Sequence, residues 1–207
     1  ILMPDFEAVS GEYKHMFQEG FDPQIHDSPY PFALREDRVV FRGTSCYHGY
    51  YCHGLGEDAY NRHKRFQVVE LSQRYPDLID AGITSKLNWS PDVLAIIEPL
   101  RKPKLSLQAI SNYKYQMWID GNVTSYSSSG WRLYTGSCVI KPESPWVQWY
   151  FGDMQEGVHY IGVKEDLTDL VDTLHYLNQH QDYAERVGQQ GLQFVRQHLS
   201  KEANLLY

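Results

Sequence analysis

The stretch from Tyr113 to Val163 constrains the fold more than any other part of the chain. An apolar run, Tyr115 to Ile119, ends in Asp120-Gly121-Asn122. A Ser/Gly loop then opens a short helical stretch that stops at Gly136, and a second apolar run, Cys138 to Ile140, ends in Lys141-Pro142-Glu143-Ser144. Strand, small-residue loop, helix, strand, acidic residue is the order of a nucleotide-binding half-domain. In such a unit the loop's backbone N–H groups and the helix N-terminus face phosphates, and a carboxylate beyond the next strand takes ribose hydroxyls.

The same alternation extends outward. Val39-Val40-Phe41 reads as a strand ending in Arg42-Gly43-Thr44-Ser45. Asn61 to Tyr75 carries apolar residues at helical spacing and is stopped by Pro76. Leu78-Ile79 begins another strand, Ser106 caps a helix running to Asn112, Trp146 to Met154 reads as an amphipathic helix, and His159 to Val163 as a strand. Two helices follow, with apolar residues at Leu167, Leu170, Val171, Leu174 and Leu177 and again from Ala184 to His198. Short strands between longer helices predict an α/β fold on a mostly parallel sheet, with ligands at the strands' carboxyl ends, here Gly43, Gly121, Lys141 and Lys164. Residues 1–37 carry Pro4, Pro23, Pro29 and Pro31 without periodicity, which places a domain boundary before residue 38.

Net charge is −7, with 26 acidic against 19 basic residues, so a nucleic-acid polyanion is not the expected partner. No run approaches the 18 apolar residues of a membrane span. The chain opens on Ile1 with no signal peptide, and a trimmed domain is expected. Three cysteines at irregular spacing, Cys46, Cys52 and Cys138, do not make a disulfide framework. Together with the sequon Asn122-Val123-Thr124 inside the ligand loop, they favour the cytoplasm, with a secretory lumen and a removed signal as the alternative. Aromatic residues at 14% fit a sugar or base pocket, or simply an aromatic core. Cys46-Tyr47-His48-Gly49-Tyr50-Tyr51-Cys52-His53 fits no standard zinc spacing and reads as a lid hinged at Gly49, Gly54 and Gly56.

Five pieces in order resemble glycosyltransferase family 90, the group of capsule-associated xylosyltransferases, protein O-glucosyltransferases and lipopolysaccharide-modifying enzymes. Phe41-Arg42-Gly43-Thr44 is similar to the family's F-R-G-S/T loop. Arg65 stands ahead of Pro76-Asp77-Leu78-Ile79-Asp80-Ala81, as an arginine precedes P-x-L-x-D-A. Lys114-Tyr115 through Asp120-Gly121-Asn122 matches K-Y-x-x-x-x-D-G-N, Leu133 to Ser137 matches L-x-x-G-S, and Val158 to Val163 resembles V-H-Y-I-P-V. The resemblance covers residues 38 to 199. It implies a GT-B-like, Rossmann-type parallel sheet flanked by helices, with residues 1–37 as a reduced N-terminal acceptor part and 38–207 as the UDP-sugar-binding domain. A short microbial or viral member is expected, acting in the host cytoplasm if virus-encoded.

The implied activity is inverting, metal-independent transfer of xylose or glucose from a UDP-sugar to a glycan or protein hydroxyl. No D-x-D motif for a metal clamp occurs in the chain, and no cofactor is expected. Asp27, within His26-Asp27-Ser28-Pro29, is the expected general base and Glu12 its alternate. Expected donor contacts are Gly43, Thr44 and Ser45, Arg65 on the diphosphate, the nest Ser127-Ser128-Ser129-Gly130 with Trp131, Arg132, and Glu143 on the ribose. Ser128 stands where animal members carry an arginine, and Arg132 is the residue that can restore that charge. Arg42 has the alternative of a structural place beneath its loop. Two other readings predict different behaviour: a catalytically silent nucleotide-sugar or glycan-binding module, and an epimerase that interconverts UDP-sugars without an acceptor.

Overall fold

The computed structural model describes residues 30–44, 64–85, 91, 95, 98–120 and 126–199. Five strands form one sheet: β1 (Glu36–Thr44), β2 (Ile79–Ser85), β3 (Tyr113–Met117), β4 (Cys138–Pro142) and β5 (Ile161–Val163). Their spatial order is β2-β1-β3-β4-β5, and every pairing is parallel. A parallel sheet needs both faces covered, and its strands therefore read as unbroken apolar runs rather than alternating ones. Helix α1 (Lys64–Arg74) follows β1, and α2 (Leu107–Ile110), capped by the Ser106 hydroxyl accepting from the Ala109 N–H, precedes β3. Helix α3 (Tyr126–Tyr134) joins β3 to β4, and α4 (Leu170–Gln179) and α5 (Gln181–His198) follow β5.

The two faces hold separate cores. On one, Val39, Phe41, Ile79, Ile83, Tyr115, Met117 and Ile140 pack against Phe66 and Val69 of α1 and Leu170, Leu174 and Leu177 of α4. On the other, Trp118 and Val139 pack with Leu133 and Tyr134 of α3, Trp149, Tyr150, and Phe194 and Val195 of α5. Burying each such side chain is worth about 1.5–3 kcal/mol relative to leaving it in water. Helix α5 serves both faces, through Ala184 and Val187 to the first and Phe194 to the second. It reaches the sheet because Gly188 leaves room: a Cβ there would stand 2.5 Å from the Gly136 carbonyl oxygen. Gly136 itself, at φ +66, ends α3 in the left-handed conformation that favours glycine. Thr135 and Ser137 on either side of it accept hydrogen bonds from the buried Gln116 amide at 2.6 and 3.1 Å.

Three expectations change. The segment Trp146 to Met154 is not an amphipathic helix. Only Trp149–Gly152 forms a 3-10 turn, while Trp146 and Val147 stay exposed. Pro145 biases Ser144 away from helical angles, and Gln148 is extended. The strand expected from His159 begins at Ile161. Ser127 to Gly130 lie within α3 and are not a loop. Strand β1 begins at Glu36, and Phe32 ahead of it belongs to the main core.

Candidate functional site

Strand order reverses between β1 and β3: β2 lies to one side of β1, and β3 and its successors to the other. The helices that follow the two strands pack on opposite faces, α1 on one and α3 on the other, the arrangement at which parallel sheets open a crevice for ligands. Arg65 of α1 spans this point. Its Nη1 donates to the Thr44 carbonyl at 3.0 Å and the Thr44 hydroxyl at 3.2 Å, and its Nε donates to the Asp120 carbonyl at 3.3 Å. The guanidinium is thereby fixed between the ends of β1 and β3. Gly43 is tied to the same geometry, because the Phe41 ring curls beneath it and a Cβ would meet that ring at 2.5 Å.

Arg132 comes to the same edge from α3. It is only 6% exposed, its Nε donates to the Met117 carbonyl at 3.0 Å, and its guanidinium lies 4.1 Å from the Trp131 ring centroid. Burial, and then the neighbouring charge of Arg65, pulls it down to about 9, with Asp120 opposing, so it stays charged at neutral pH. Lys141, near the end of β4, is 9% exposed. Its ammonium stands 5.4 Å from both the Trp118 and Phe151 ring centroids and has one acceptor, the Pro142 carbonyl at 3.4 Å. Burial lowers this lysine; Asp120 partly offsets the shift and Lys64 adds to it. Lys64 lies further along, donating to the Glu143 carbonyl at 2.8 Å and pairing with Glu165 at 3.0 Å. Four cations thus gather at the carboxyl edge. Asp120 lies among them, and its Oδ1 is buried with no hydrogen-bond partner among the described residues. Buried like charges cost stability unless an anion or polar ligand offsets them, and their concentration in a crevice marks a binding site.

The expected donor residues divide accordingly. Thr44, Arg65 and Arg132 come together at the crevice. Thr44 and Gly43 build the seat for Arg65. Glu143 follows β4 with its backbone N–H on the Val163 carbonyl at 2.9 Å and its side chain exposed at the same edge. Ser129 corrects the expected nest: its hydroxyl shares a hydrogen bond with the buried Tyr150 hydroxyl and faces the core, and Gly130 is buried beside it. Trp131 packs against Val40, Ile110 and Tyr113. Ser127 and Ser128 lie within α3. Asp27, Glu12, Ser45 and the Cys46 to His53 segment lie outside the described residues.

Arg42 takes its structural alternative. Its Nη2 donates to both Asp80 carboxylate oxygens at 3.0 Å and its Nη1 to the Asp80 carbonyl at 2.8 Å. Lys102 at 2.7 Å and the Tyr113 hydroxyl at 2.6 Å complete this carboxylate's shell. Sequence reasoning missed Lys141 and Lys64 as members of the crevice. The available signal for Lys141 was a lone cation closing an apolar strand.

The family model described as glycosyl transferase family 90 matches residues 49–207. Protein O-glucosyltransferase 2 of Danio rerio is 29% identical over 147 residues, covering 71% of this chain and 29% of that protein. Uncharacterized protein 035R of Invertebrate iridescent virus 3 is 30% identical over 181 residues, covering 81% of this chain and 15% of that protein. The chain therefore spans less than a third of the length of either relative. Among solved structures, TarM superposes with a TM-score of 0.58 at 13% identity, over 88% of this chain and 36% of TarM. Anabaena HepE, solved in complex with UDP-glucose, superposes with a TM-score of 0.53 at 8% identity, over 89% of this chain and 51% of HepE. These likenesses establish the α/β, GT-B-like fold, and the family match over residues 49–207 establishes that the chain belongs to glycosyl transferase family 90.

Proposed function

We propose that this chain binds a UDP-sugar at the carboxyl edge of its sheet and takes part in moving glucose or xylose from it to a hydroxyl of a glycan or glycoprotein. The observation that carries this reading is Arg65 bridging the ends of β1 and β3 with Arg132 buried beside it. Two fixed guanidiniums at a topological switch point match the charge and the forked acceptors of a diphosphate. The protein O-glucosyltransferases among the relatives, and UDP-glucose bound to HepE on the same fold, point to the same donor class.

In the proposed reaction an acceptor hydroxyl attacks the anomeric carbon as the bond from that carbon to the phosphate oxygen breaks. The hydroxyl proton passes to a carboxylate, Asp27 or Glu12, and the electron pair leaves with UDP. Arg65 and Arg132 stabilise the charge that develops on the departing diphosphate. Direct displacement inverts the anomeric carbon. Metal independence rests on the same cations, since a divalent ion entering beside them meets like charge with Asp120 as the carboxylate to hold it. The irregular cysteines and the sequon at Asn122 support a cytoplasmic setting. Among the described residues no helix is long and apolar enough to cross a membrane.

The test is turnover of UDP-glucose and UDP-xylose in EDTA, with simple glycosides as acceptors and the anomeric coupling of the product read by NMR. A β-linked product from an α-linked donor is expected. An interconverted UDP-sugar with no transfer would mean an epimerase, and tight UDP binding without turnover would mean a binding module.

A further inference from the structure

Two polar groups at the carboxyl edge are not accounted for by the diphosphate. Lys141 is nine-tenths buried between Trp118 and Phe151, yet no carboxylate lies within ion-pairing distance among the described residues, and its ammonium meets one carbonyl at 3.4 Å. An ammonium has three donors, so most of its hydrogen-bonding capacity is unspent. Asp120, on the neighbouring strand's end, has the opposite deficit: its buried Oδ1 accepts from nothing among the described residues.

The two are placed together by register. Met117 pairs with Ile140, and the ladder runs one step further through the Trp118 N–H to the Ile140 carbonyl at 2.8 Å. Trp118 therefore stands opposite Lys141, and Asp120 follows two residues later, beyond the end of β3. The two groups influence one another electrostatically, but no hydrogen bond joins them. A phosphate oxygen only accepts, so it suits Lys141 and is repelled by Asp120. A sugar hydroxyl donates and accepts at once, and it suits both.

We propose that Asp120 and Lys141 form the sugar-recognising part of the donor site, Asp120 accepting from a hydroxyl of the transferred pyranose and Lys141 donating to that oxygen or its neighbour. This inference rests on the UDP-sugar reading above and assigns a role to residues beyond the diphosphate contacts. It also explains why a buried lysine is retained at a cost. Aromatic rings ease an ammonium's burial, but an unpaired cation in a core is destabilising, and an apolar side chain of like length relieves that cost.

The experiment is calorimetric titration of the full chain and its Asp120→Asn and Lys141→Met variants with UDP and, separately, with UDP-glucose. For both variants UDP affinity should stay within about threefold of the parent, while the affinity for UDP-glucose relative to UDP falls about tenfold or more, as expected for losing a hydrogen bond to a charged group. Lys141→Met should melt at or above the parent temperature. Equal losses for UDP and UDP-glucose would assign these residues to the diphosphate and overturn the proposal, and an unchanged ratio would overturn it as well. Should Lys141→Met fail to fold, its lysine is structural, the proposed pair fails, and the Asp120→Asn ratio alone decides whether the carboxylate binds sugar. A parent chain that binds neither ligand overturns the donor reading itself, an outcome distinct from a parent that binds both with variants that behave like it.

Discussion

Asp80, within β2, and Asp120, just beyond β3, both lie within reach of arginine and lysine, and their surroundings are opposites. Asp80, 7% exposed, is enclosed by Arg42, Lys102 and the Tyr113 hydroxyl, with both carboxylate oxygens bonded. Burial alone would raise its carboxyl, but hydrogen bonds from Arg42, Lys102 and Tyr113, together with the charge of Arg42, hold it far below the usual carboxylate range. Even the backbone accommodates this cluster: Gly82 leaves space for the Lys102 stem, which a Cβ would meet at 2.5 Å. Asp120 has cations around it and an oxygen with no hydrogen-bond partner among the described residues. A satisfied buried ion cluster holds a fold together. A frustrated one at the open end of a parallel sheet is poised for a ligand.

The largest effect that can break this contrast lies at Asp80. Replacing it by Ala leaves Arg42 buried without its counter-charge and should cost about 3–5 kcal/mol, read as a loss of unfolding free energy in urea. A loss below 1 kcal/mol would dissolve the distinction. The same group fixes an acid limb. Because its folded-state pKa is depressed, its contribution is fully present above the unfolded value of about 4 and declines as pH falls below it. The parent's stability should therefore drop on acidification below about pH 4, and the drop should shrink in Asp80→Asn.

Next in size is Arg65→Ala, which removes the guanidinium spanning Thr44 and Asp120. UDP affinity should fall about tenfold to a hundredfold by calorimetry, in the range of charged hydrogen bonds. An unchanged affinity would remove the diphosphate from this crevice. The smallest expected effect is Glu143→Gln, an exposed side chain at the rim, where a ribose contact should be worth only about two- to fivefold in affinity. A much larger loss would move the centre of the site from β1/β3 towards β4/β5.

Much of this fold was legible in the chain because a parallel sheet writes continuous apolar runs. Tyr115 to Ile119 and Cys138 to Ile140 are such runs, and Gly136 marks the end of the helix between them. The Asp80 cluster was not legible: its partners Arg42, Lys102 and Tyr113 are 38, 22 and 33 residues away, and only register brings them together. Trp146 to Met154 misled because its aromatic residues imitate a helical stripe, whereas Trp149 and Tyr150 turn inward from a 3-10 turn and Trp146 remains outside. Ser127 to Gly130 look like a phosphate loop in sequence, yet they lie within α3, with Ser129 committed to Tyr150 and Gly130 buried. Arg65 and Arg132 were marked by the family resemblance, Arg65 as the arginine ahead of Pro76 to Ala81 and Arg132 as the charge that could stand in for the one missing at Ser128. Lys141 marked a strand's carboxyl end but was not singled out as a site residue, because a strand-ending lysine usually reaches solvent and its burial between Trp118 and Phe151 appears only in three dimensions.

We propose that Arg65, Arg132 and their neighbours form a diphosphate site that works without a metal. Calorimetric titration of the full chain with UDP, first in EDTA and then in excess Mg²⁺, tests it directly. Saturable binding in EDTA that Mg²⁺ leaves unchanged is the predicted result; no heat of binding, or binding that appears only with Mg²⁺, would contradict it.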